Sequence, residues 1–100
     1  MPILNTQEAV EILQYSDVSE MPAKVTTILL PAIDDYIKNA TGKDWGKDTE
    51  INPTAKIVAT MLLMRWFEDS NEIGNGGIGV ISLINQLQAV ADKEKQGVLK

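Results

Sequence analysis

One hundred residues, 14 acidic and 9 basic side chains, no cysteine and no histidine define one small domain and remove much chemistry at the outset. Without cysteine there are no disulfides, thiolate nucleophiles or Cys-based zinc sites, and without histidine the commonest general base and metal ligand is missing. The net charge of −5 argues against a surface that grips phosphates by counterion release. The expectation is a non-enzyme with no catalytic residue, no cofactor and no metal. No stretch reaches membrane-spanning length and the start, MPILNTQEAV, lacks the regions of a signal peptide, so a soluble protein made inside the cell is expected. A chain this short buries only about 60–65% of its unfolded surface, which favours cover from another copy or a partner.

The periodicity is helical throughout and predicts an all-α bundle of about four helices, with one domain over 1–91 and a polar, frayed tail over 92–100. The first helix is expected over Thr6–Tyr15, with Asn5 and Glu8 at capping-box spacing. SDVSEMP breaks the pattern. From Pro22 to Ala40, Leu29, Ile33, Tyr36 and Ile37 belong to one apolar stripe. Pro31 sits inside it without a backbone donor and predicts a kink near Thr27, the alternative being a break at Leu30. Asp34 and Asp35 diverge by about 100° on a helix and form no catalytic dyad. An Asp34 to Lys38 pair on a solvent face is expected instead.

Gly42 is placed to terminate this helix in the left-handed conformation, and Asn52-Pro53 is a cap followed by a proline at the first helical position. The loop between them carries Trp45, which either folds back over the bundle or inserts into a partner. Asp44, Asp48 and Glu50 alternate like calcium ligands, but the EF-hand positions that follow hold the wrong residues, and a solvated loop is expected. The helix from Pro53 to about Asp69 is apolar on most of its circumference, with Val58, Leu62 and Trp66 in the core. Such a helix is central in its bundle or covered on a second side by another chain. Arg65 within it is an edge residue or half of an ion pair across a subunit interface. SNEIGNGGIG then reads as a mobile loop or one that orders on assembly, its glycines lacking the strand and the Lys-Ser/Thr of a phosphate-binding loop. A last helix over Val80–Ala91 places Leu83 and Leu87 in the core. Trp45, Arg65, Ile73 and Ile78 are the candidate subunit or partner contacts.

The order of features resembles the small head-tail connector proteins of tailed bacteriophages and prophages, also called head-completion or DNA-packaging adaptor proteins. The resemblance rests on Tyr36, Thr41, Gly42 and Lys43 at the end of the second helix. It continues with Pro53, the aliphatic run Ile57 to Met64, and Trp66-Phe67-Glu68, and it covers about residues 5 to 91. It implies a structural virion protein at the capsid-tail junction, present in host cytoplasm during assembly. There it forms a ring, usually of twelve copies, that joins the portal protein to a tail or second connector protein. DNA passes through without specific binding, and no membrane is involved. Two features depart from the family: Pro31 interrupts a helix that is otherwise continuous, and the glycine-rich loop is more flexible than the resemblance requires. A stand-alone helical interaction module, a regulator or inhibitor subunit, is the rival reading.

Overall fold

The computed structural model describes residues 2–99, leaving aside the side chains of residues 78 and 95–99. Four α-helices make up the domain: α1 Thr6–Leu13, α2 Leu30–Thr41, α3 Pro53–Glu68 and α4 Gly77–Leu99, with a π turn over Val25–Leu29 leading into α2. The fold is all-α, as the periodicity predicts, and its boundaries are chemically explicable. Asn5 accepts from the Glu8 N–H at 2.7 Å while Glu8 accepts from the Asn5 N–H at 3.0 Å, closing the capping box of α1. Gly42 ends α2 with φ of 81°, where a Cβ would be strained. Asn52 accepts from the Thr54 N–H at 2.8 Å and the Ala55 N–H at 3.4 Å, with Pro53 opening α3.

Pro31 shows how a proline is absorbed without ending a helix. The Leu30 N–H reaches back five residues to the Val25 carbonyl, which widens the turn in front of the ring. Thr27 Oγ1 donates to the Ala23 carbonyl at 2.9 Å. The distortion falls around Thr27, as a π turn within continuous helix, and no break occurs at Leu30.

The core gathers Val25, Leu29, Ile33 and Ile37 from one side and Ala55, Val58, Ala59, Leu62, Leu63 and Trp66 of α3 from the other. Val80, Ile84, Leu87 and Ala91 of α4 close it, and Ile3 and Leu4 seal its edge. Of the expected core residues, Tyr36 and Leu83 are only partly buried and pack against its margin. Tyr36 meets Trp66 edge-on, with ring centroids 5.7 Å apart and an interplanar angle of 86°.

Three sequence expectations are corrected. The last helix starts at Gly77 and runs to Leu99, so it continues past Ala91 into the stretch expected to fray. Asp34 forms no solvent-face pair with Lys38 among the described residues. It is half-buried and accepts the Ile3 N–H at 3.0 Å, tying the N-terminal segment to α2. The glycine-rich connection is a built turn. Asp69 caps the short 3-10 turn Ser70–Glu72, Trp66 Nε1 donates to the Asn75 carbonyl at 3.0 Å, and buried Gly76 lies against the Tyr36 ring. Satisfied polar groups and close backbone approach hold such a turn, whatever freedom its glycines have alone.

Candidate interaction surface

Trp45 is 1% exposed. Its ring folds back into the subunit, its Nε1 donating to Thr41 Oγ1 at 2.8 Å, and that hydroxyl donates in turn to the Ile37 carbonyl at 2.7 Å. Of the two outcomes open to a large aromatic in a polar loop, folding back is the one realised, and Trp45 offers nothing to a partner. Lys43 covers the ring, its Nζ 4.4 Å from the centroid, and reaches Asp48 at 3.0 Å and Glu94 of α4 at 2.5 Å. Burial opposes the Lys43 charge, but those two carboxylates override it and raise its pKa above the usual lysine value. Lys43 therefore joins loop, ring and α4.

Arg65 is exposed and paired within its own chain, its Nη2 bonding Glu72 at 3.2 Å while its guanidinium lies over Gly77. Ile73 is exposed at the turn. The Ile78 side chain lies outside the described residues. Of the loop carboxylates, Asp48 meets Lys43 at 3.0 Å and Asp44 meets Lys47 at 3.9 Å.

Exposed apolar side chains are spread over several elements, Ile28 and Ile81 among them, and three fall in line on α3. Ile57, Met61 and Met64 recur at four and three residues along α3 and stand 52%, 38% and 49% exposed, forming one stripe on the side opposite its buried face. Met61 lies beside Gly79 of α4, where its Cε would meet an added Cβ at 3.5 Å. Met64 helps to line a groove of about 300 Å³ with Ile12, Leu13 and Gln14 at the end of α1 and Phe67 and Glu68 of α3. The stripe thus runs between α1 and α4. Gln14 ends α1 at φ of 63°, the sole non-glycine positive φ among the described residues. The apolar circumference of α3 signalled such a face in the sequence, but nothing there told which apolar residues would remain outside.

Two cations flank the stripe. Arg65 lies toward one end, and Lys56 toward the other bonds Glu8 at 2.6 Å, pinning α1 to α3. Burial works against Glu8 ionising, yet the Lys56 ammonium and the Asn5 N–H outweigh it and hold its pKa below the usual value.

A second groove, about 450 Å³, opens on α2 and has no residue of α3 in its walls. Pro2, Leu30 and Pro31 give it an apolar side, and Asp34, Asp35 and Asp44 an acidic one, with Lys38 alongside. Burial pushes the Asp34 carboxyl above its usual pKa, against the Ile3 N–H, and Asp44 and Asp35 push in the same direction. Thr26 also lines this groove. Its carbonyl loses its α-helical donor, because Leu30 bonds Val25 instead, and the next residue, Pro31, has no N–H to give.

Among the described residues, no helix is long and apolar enough to cross a membrane and no group of acidic residues converges for a metal ion. The chain matches no protein-family model, no curated protein and no solved structure.

Proposed function

We propose that this chain is a structural subunit that associates with copies of itself into a ring at the capsid-tail junction of a tailed phage or prophage. The ring joins the portal to a tail or second connector protein and leaves DNA a passage. The observation that carries the reading is the Ile57, Met61 and Met64 stripe of α3, three large apolar side chains left in water by a helix that already fills the core on its other side. A small domain gains more from covering such a face than a large one does. The phage setting, the portal and tail partners and the virion location rest on the resemblance around Tyr36, Thr41, Gly42 and Pro53. The net charge of −5 suits a channel wall that lets a polyanion slide.

The test is native mass spectrometry of the purified chain across a concentration series, alone and with any portal protein encoded in the same source DNA, for the wild type and Met61→Glu. A closed ring that the variant loses while keeping its helical circular dichroism is the expected result. A discrete dimer, or a complex with an unrelated regulatory protein, would replace the ring reading with that of a stand-alone interaction module.

A further inference from the structure

The turn between α3 and α4 carries a reactive pair that packing alone does not explain. Asparagine occurs at positions 5, 39, 52, 71, 75 and 85, and only Asn75 is followed by glycine. The following residue matters because its backbone nitrogen is within reach of the asparagine side-chain carbonyl. A glycine there has no side chain to screen that nitrogen and few limits on its torsions.

The fold sets this pair up for reaction. Asn75 is exposed and Gly76 is buried. The Asn75 carbonyl accepts from Trp66 Nε1 at 3.0 Å, its Nδ2 donates to Glu72 Oε2 at 3.0 Å, and its Oδ1 accepts from the Gly77 N–H at 3.2 Å. The Gly77 donor thus stands beside the oxygen on which negative charge gathers when a nucleophile adds to Cγ. The nucleophile is at hand. The Gly76 N–H has no acceptor among the described residues, a rare state for a buried amide, and ring closure onto the preceding side chain needs no second molecule.

We propose that Asn75 and Gly76 form a self-modification site, at which the folded chain turns an asparagine into a succinimide and then into a carboxylate. The Gly76 nitrogen bonds Asn75 Cγ, the Cγ–Nδ2 bond breaks, and ammonia leaves with the proton that the Gly76 nitrogen gives up. Water, the one co-reactant, then opens the ring. Hydrolysis at the side-chain carbonyl leaves an aspartate in the original main chain. Hydrolysis at the main-chain carbonyl leaves an isoaspartate, whose main chain runs through Cβ and Cγ.

Either product alters the turn. A carboxylate takes the place of the donor to Glu72, and Arg65, 3.2 Å from Glu72, then has two anions to balance. Isoaspartate also converts the carbonyl that anchors Trp66 into a free carboxylate and lengthens the chain ahead of Gly76, which lies against the Tyr36 ring. The turn between α3 and α4 therefore loosens as the protein ages, beginning at Trp66.

The test incubates the native chain in mildly alkaline buffer, in parallel with the same chain unfolded in guanidinium chloride. Peptide mapping by mass spectrometry follows all the asparagines, and Trp fluorescence and Tm are read on the native sample. The expected result is conversion of Asn75 and of no other asparagine in the native chain, as two products, with a fluorescence change and a lower Tm growing in step. Asn75→Gln, whose longer side chain does not close the same ring, keeps its amide and the parent's fluorescence. Asn75 intact in the native chain after the unfolded chain has converted would overturn the proposal, because the turn would then shield the pair. Conversion of other asparagines at a similar native rate, or the same fluorescence change in Asn75→Gln, would overturn it as well.

Discussion

Gly76→Ala offers a sharp test of whether the glycine-rich connection is a built turn. A Cβ at residue 76 would overlap the Tyr36 hydroxyl, lie 3.0 Å from Tyr36 Cζ and 3.2 Å from Val80 Cγ1. Tyr36 cannot swing away freely, because its ring stands edge-on to Trp66, and Trp66 is anchored to the Asn75 carbonyl one residue before the glycine. Overpacking of this kind costs about 1–3 kcal/mol, which for a domain of this size lowers Tm by about 5–15 °C. Gly79→Ala, three residues on, is the control. Its Cβ would meet only Met61 Cε at 3.5 Å, an ordinary contact, so removing a glycine from the helix stabilises by about 0.5–1 kcal/mol. Adding Tyr36→Phe to Gly76→Ala removes the nearest atom and recovers part of the loss. Thermal unfolding followed by far-UV and near-UV circular dichroism reads all four proteins. Equal stability of Gly76→Ala and the parent would refute the packing argument and restore a loose loop.

Other outcomes follow from single residues. Gln14→Gly removes a side chain from the left-handed conformation at φ of 63° and raises unfolding free energy by about 1 kcal/mol in urea titration. Trp45→Ala empties a buried site, removes the indole donor from the Thr41 hydroxyl, and costs about 3–5 kcal/mol by the same measurement. Asp34 has its folded pKa raised, so the folded state holds the proton more tightly and stability falls as pH rises through the interval above 3.8. Asp34→Asn, which still accepts from the Ile3 N–H, is therefore at least as stable as the parent at pH 7, and the advantage closes below that interval. The Glu8 and Lys56 pair carries the opposite sign: Glu8 has its pKa lowered from 4.5, so its contribution is present above that value and lost as pH falls through the folded pKa. Lys56→Met flattens this acid limb.

Local signals in the chain proved the readable ones. Asn5 with Glu8, Gly42 and Asn52-Pro53 mark helix ends because capping is a matter of neighbours in sequence, and the spacing of Leu29, Ile33 and Ile37 marks the buried face for the same reason. The errors have a common physical origin in contacts between distant residues. Asp34 looked like a solvent residue because its partner, the Ile3 N–H, is 31 positions away. Gly76 looked free because Tyr36, forty positions back, is what fills the space beside it. The end of α4 looked frayed because the Glu94 partner is Lys43, 51 positions away.

The same distinction explains why the apolar stripe was the least legible feature. Periodicity tells which face of a helix is apolar, but α3 is apolar on most of its circumference, so the pattern cannot divide core from exterior. That division depends on where α1 and α4 come to rest. They settle on either side of α3, α1 near Met64 and α4 with Gly79 near Met61, and leave Ile57, Met61 and Met64 in the gap. A bundle seeking only its own stability would place Lys or Glu at those three positions, as α2 does at Asp35 and Lys38 on its outer side. Substituting them with charge costs the monomer little, since surface changes usually fall within about 0.5 kcal/mol, so folding does not account for their apolar character. The self-association proposed above would account for it.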